Sequence, residues 1–258
     1  WVFKLHRFSF NFLYFNVKQK YNWKFIFLEE KIFQYPNINE TAFSINLLGL
    51  NLNVQWYGLS YIAGILLAWF FMIKLVQKKD LWIAGNSIVE RNGVDDLITY
   101  MILGIILGGR LGYCLFYSPA YYFDNPIRII YIWEGGMSFH GGFLGVLISG
   151  ILFGIKRKIN LLSLGDLIAF SSPPGLFFGR IANFINGELW GKPTTSTFGI
   201  QFTNGQGKFC PSSNEIPCFR HPSQLYEAFF EGIVLMLIFY YLVFFYKALK
   251  KPGIIFGS

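Results

Sequence analysis

The chain has 258 residues, of which 53% are hydrophobic, 20% aromatic and only 14% charged, where soluble domains average about a quarter charged. That excludes a soluble fold of this length, because too little polar surface is left to cover it, and several apolar runs reach the roughly 20 residues that an α-helix needs to cross a bilayer. The net charge of +8 does not mark a nucleic-acid binder: the Lys and Arg fall in short clusters between apolar runs, where they set topology and meet anionic lipid heads.

Residues 1–31 mix Lys with Phe and Asn and sustain no run long enough to span. With no ordered basic region, apolar region and cleavage site, they read as an extension rather than a signal peptide. Residues 32–258 form the integral membrane domain, expected to be an all-α polytopic fold with about five transmembrane helices and a sixth beginning. The first span runs from Trp56 to Val76 and ends among Lys74, Lys78 and Lys79. The second covers Leu97 to Tyr117. The third covers Met137 to Ile155 and stops at Lys156, Arg157 and Lys158. The fourth, Leu161 to Ile185, is broken by Pro173 and Pro174, which remove backbone donors inside a helix. A polar segment, 186–222, follows. The fifth span is Gln224 to Tyr246, closed by Lys247, Lys250 and Lys251, and Ile254, Ile255 and Phe256 begin a sixth.

Lys and Arg are concentrated at the exits of the first, third and fifth spans. The opposite loops carry only Arg128, Lys192, Lys208 and Arg220. By the positive-inside rule the former ends are cytoplasmic and the 186–222 segment is periplasmic. Cys210 and Cys218 share that segment and are free to pair if it is periplasmic; the sequence leaves the pairing open. Cys114 lies in an apolar run as a small membrane residue. No C-x-x-C or other metal framework is present.

Charged side chains near mid-bilayer cost about 2.5–3.5 kcal/mol on insertion scales, so their placement is informative. Four polar blocks gather on the periplasmic side. Gly108-Gly109-Arg110-Leu111-Gly112-Tyr113 is either part of a functional site or a snorkelling Arg beside a small-residue packing face. Trp133 to Gly142 contains His140, flanked by glycines, with Glu134 six residues earlier; His exchanges protons near neutral pH. Gly179 to Lys192 carries Arg180, Asn183, Asn186 and Glu188. A guanidinium fork suits phosphate oxygens, and amides and carboxylates hold hydroxyls. His221-Pro222-Ser223-Gln224-Leu225-Tyr226-Glu227 re-enters the membrane, and its Glu also fits an ordinary helix start. Together these residues suggest a site for an anionic phospholipid headgroup. A transporter with a Pro-broken helix is the rival, and it predicts matching motifs in two halves that the chain does not show.

In order and spacing the blocks resemble the prolipoprotein diacylglyceryl transferase family. The G-R-x-x-N-F-I-N-G-E-L-W-G run from Gly179 to Gly191 resembles its signature. Trp56-Tyr57-Gly58-Leu59, the Arg110 block, the His140 block and the His-Pro-Ser-Gln-Leu-Tyr-Glu block accompany it. The resemblance, over about residues 32–258, implies transfer of diacylglyceryl from phosphatidylglycerol to the lipobox Cys thiol of a preprolipoprotein, with glycerol phosphate leaving. It implies no cofactor and no metal, and an active site facing the periplasmic leaflet of a bacterial inner membrane. It makes His140 the candidate base, with Arg180 and Glu188 catalytic. Arg110, Arg180, Asn183, Asn186, Gly191 and Tyr57 become phosphatidylglycerol-binding residues. It also implies further helices beyond Ser258, with a Tyr, Arg and Glu constellation. A truncated homologue that only binds phosphatidylglycerol is the alternative.

Overall fold

In a computed structural model of the chain, the described residues are 33–36, 38–47, 50–202, 207, 210 and 218–258; the reading of residues 1–31 lies outside them. The chain divides into two compact units, one containing Trp190–Pro222 and the described residues before Asn37, the other Ile38–Leu189 with Ser223–Ser258.

The larger unit is mostly helical, as the apolar runs require. Helix α1 spans Trp56–Gln77, α2 Arg91–Phe116, the short α3 Pro119–Asp124 and α4 Phe139–Arg157. Helices α5, Leu161–Ser171, and α6, Pro173–Ile185, meet at a 41° bend. The bend falls where the sequence places it. Pro173 and Pro174 open α6, where a missing N–H is no loss. Helix α7, Ser223–Phe244, continues the order, and α8, Ile254–Gly257, is the helical start read at Ile254. Among the described residues four helices are long and apolar enough to cross a membrane, or five if the bent pair is one span.

Strands qualify the all-α expectation. Ahead of α1, β2 (Thr41–Leu47) and β3 (Leu50–Gln55) form an antiparallel hairpin that runs straight into Trp56. In the smaller unit β1 (Phe33–Gln34) lies parallel to β4 (Ile200–Gln201), which pairs antiparallel with β5 (Phe219–Arg220). There Cys210 and Cys218 form a disulfide. The buried Arg220 donates to the carbonyls of Gly207 at 2.9 Å and Gly191 at 3.1 Å.

Two features hold the helices of the larger unit. Gly104, Gly108 and Gly112 repeat every fourth residue along α2 and face Gly141, Gly145 and Ser149 of α4. A methyl built on Gly108 overlaps the Gly141 carbonyl, and one on Gly112 lies 2.8 Å from the Gly141 Cα. Only glycine permits backbones this close, and in lipid such packing replaces the hydrophobic drive of water. Away from the seam, Leu66, Leu107, Ile148 and Leu237 are exposed, as lipid-facing residues should be. At the Lys-rich ends, Leu75, Leu81, Trp82, Leu97, Phe153, Leu167, Val243 and Leu249 close a buried apolar cluster.

The second feature is the fully buried Asp166 of α5, which accepts the N–H of Gly253 at 2.7 Å and of Phe256 at 2.9 Å. It caps the first turn of α8, whose amides have no intrahelical acceptor. Asp166→Ala is expected to lower stability by about 1–3 kcal/mol, because two buried donors lose their acceptor. Thermal unfolding in detergent reads this directly, and an unchanged midpoint contradicts the assigned cap.

Candidate active site

Helices α6 and α7 build the site at the end of the larger unit opposite the lysines. On α6, Arg180 and Asn183 are three residues apart and share a face. The helix then turns out sharply through Gly187 at φ +64° and Leu189 at φ +54°. Leu189 is an uncommon residue for the left-handed region, and its carbonyl is held by Ser223 Oγ at 2.8 Å. This turn folds Glu188 back over the helix that precedes it. The buried Asn183 donates from Nδ2 to the Tyr57 hydroxyl and, at 3.3 Å, to Glu188 Oε1. Gln224, fully buried at the start of α7, donates to the Glu188 carbonyl. Tyr57, Asn183, Glu188 and Gln224 are thus one connected set drawn from three helices and the exit turn.

One helical turn further into the span, Arg180 lies between two carboxylates of α7. Its Nε is 2.9 Å from Glu227 Oε2 and 3.3 Å from Glu231 Oε2. Its Nη1 and Nη2 have no hydrogen-bond or ion partner among the described residues. Among the described residues two buried acceptors of the same helices and exit turn, Asn186 Oδ1 and Gln224 Oε1, also lack donors. Buried polar atoms are normally satisfied, and an orphan in a site is an opening for a ligand group. A guanidinium with two free terminal nitrogens suits phosphate oxygens, and amide oxygens suit hydroxyl donors.

The other expected site residues make no hydrogen bond to Arg180 among the described residues. Arg110 has partners of its own. It is buried and donates to the carbonyls of Ile129 at 2.9 Å, Arg128 at 2.6 Å, Gly136 at 3.3 Å and Gly135, with Tyr122 stacked on its guanidinium. These bonds use four of its five N–H groups, so it fastens the 128–136 segment and has little left for a phosphate. His140 stands exposed on the first turn of α4, against Phe139, with no hydrogen bond among the described residues. Gly191 belongs to the smaller unit, where its N–H donates to the His221 carbonyl at 2.9 Å and a methyl would stand 2.8 Å from that oxygen. Gln224, Glu227 and Glu231 are added by the structure. Gln224 and Glu227 lie within a block already singled out, and an acid four residues beyond Glu227 inside an apolar run was the signal for Glu231.

Fold and site together define a polytopic membrane protein with an arginine–carboxylate cluster set into two of its helices. Residues 43–258 match the family model described as prolipoprotein diacylglyceryl transferase. The phosphatidylglycerol–prolipoprotein diacylglyceryl transferase of Rickettsia felis is 52% identical over 220 residues, covering 85% of this chain and 77% of that protein. The protein of that name from Cereibacter sphaeroides is 49% identical over 199 residues, 77% of this chain and 98% of the relative. The one from Ruegeria pomeroyi is 45% identical over 228 residues, 88% and 77% respectively. The chain belongs to the prolipoprotein diacylglyceryl transferase family.

Proposed function

We propose that this chain transfers the diacylglyceryl group of phosphatidylglycerol to the lipobox cysteine thiol in the signal peptide of a preprolipoprotein. The thiolate attacks the glycerol carbon that carries the phosphate. A C–S bond forms, the C–O bond breaks, and its electron pair leaves on glycerol phosphate. The phosphate thereby passes from a singly charged diester to a more highly charged monoester. Arg180 carries the reading: Nε is held by carboxylates while both terminal nitrogens have no partner among the described residues, and fixed donors at growing charge are an effective form of catalysis. The orphaned acceptors of Asn186 and Gln224 suit the hydroxyls of a glycerol headgroup. Glu188, oriented by Asn183, offers a further acceptor to the same headgroup.

The thiol must lose a proton to react. His140 is the candidate acceptor, since a neutral imidazole can take a proton on its free ring nitrogen and this ring is exposed and makes no hydrogen bond among the described residues. Placement in a bacterial inner membrane with the site on the periplasmic side is supported by the basic residues at the opposite helix ends. The Cys210–Cys218 disulfide supports the same placement, because disulfides persist in oxidising compartments.

The test is a mass measurement on a lipobox peptide incubated with the chain in vesicles of phosphatidylglycerol or of phosphatidylethanolamine. The expected result is a diacylglyceryl adduct on the cysteine with the first lipid only. No adduct with phosphatidylglycerol, or equal adducts with both, overturns the reading.

A further inference from the structure

Arg180 meets two carboxylates where one would balance its charge, and the nearer is not the one it is aimed at. Glu227 Oε2 is 2.9 Å from Nε, yet the N–H is directed at Glu231 Oε2, 3.3 Å away, in the only hydrogen bond described for this guanidinium. Helix α7 widens into π-helical turns over Ala228–Val234 at this level, a feature that recurs at functional positions. The residue after Glu231 is the buried Gly232, where a methyl would stand 2.6 Å from Phe177 Cβ. The absence of a side chain at 232 lets α7 approach α6 closely enough for Glu231 to reach Arg180. An extra acid inside an apolar helix is expensive, so its retention there calls for a use.

We propose that Glu231 is a positioning residue for diacylglyceryl transfer. By accepting the Nε–H it fixes the guanidinium plane and leaves Nη1 and Nη2 presented together to the phosphate, while Glu227 balances the charge. The proposal rests on the reading of Arg180 as the phosphate ligand. Because the phosphate gains charge as the C–O bond breaks, a fixed fork binds the transition state better than the bound lipid, and the benefit falls on kcat. With Nε released, the guanidinium is free to turn towards Glu227 and the fork loses its aim.

The test is steady-state transfer with Glu231→Ala and Glu231→Gln in phosphatidylglycerol vesicles. Glu231→Ala is expected to lower kcat by about 30- to 100-fold with KM for the lipid changed by less than about threefold, as loss of orientation does. Glu231→Gln, whose amide oxygen can accept the same N–H, is expected to recover most of that loss. If Glu231→Ala does not fold, the near-isosteric Glu231→Met, which offers no comparable acceptor, takes its place beside Glu231→Gln. A glutamine variant as impaired as the alanine or methionine variant makes the charge, not the hydrogen bond, the requirement and overturns the proposal. So does a rise in KM alone, or no change in the variant without an acceptor. Those outcomes leave the wild-type activity standing; a wild-type chain without transfer removes the underlying reading instead.

Discussion

Arg180→Ala is expected to reduce kcat/KM for diacylglyceryl transfer by about 10²- to 10³-fold, the range seen when a fixed donor to developing charge is removed. Arg180→Lys is expected to do little better. In the wild-type site Nε meets Glu227 and Glu231 while two further nitrogens have no partner among the described residues. A lysine has one nitrogen, and the same two carboxylates would hold it away from the phosphate. Arg and Lys differ most where one group must serve two partners. The measurement is transfer kinetics on variants whose thermal unfolding matches the wild type. A Lys variant with more than about half of wild-type activity would show that charge alone suffices, and the fork geometry would then have no role.

The second large effect is expected at the α2–α4 seam. Gly145 faces the Gly104 carbonyl with no room for a Cβ, and Gly104 meets Gly145 and Ser149 in return. Gly145→Ala is expected to destabilise the protein by about 1–3 kcal/mol through overpacking, and Gly145→Ile to prevent folding. Water drives α4 back onto α2 only weakly inside a bilayer, so lost backbone contact is not readily replaced. The control is Leu144→Ala, next in sequence but exposed on the lipid side. Yield of monodisperse protein and the unfolding midpoint in detergent compare the three. Wild-type behaviour of Gly145→Ile would contradict the seam.

The spans were legible because a bilayer imposes a length, and runs such as 56–77 and 139–157 meet it with basic residues at one end. The break at Pro173 was legible because proline removes a donor that a helix interior needs. Asn183 and Glu188 could be singled out as polar residues at a membrane exit, yet their joint bond with Tyr57 joins positions more than a hundred residues apart. The partners of Arg110 were not legible, for a definite reason. Its acceptors are main-chain carbonyls of residues 128–136, and a carbonyl has the same sequence signature whether or not it faces a cation. Asp166 shows the same limit, since its partners are the amides of Gly253 and Phe256. The hairpin at 41–55 alternates Asn with apolar residues, a period-two pattern obscured by its position beside a long helical run. Glu231 carried a weaker signal, an acid inside an apolar run one helical turn after Glu227, and its partner Arg180 lies 51 residues away in sequence.

The central claim is that phosphatidylglycerol binds with its phosphate at Arg180. The most direct measurement is photo-crosslinking with a phosphatidylglycerol that carries a photoreactive headgroup, followed by peptide mapping. The expected result is adducts on residues 180–188 and 224–231, lost in Arg180→Ala. Adducts confined to Arg110 and the 128–136 segment, unaffected by Arg180→Ala, would contradict it.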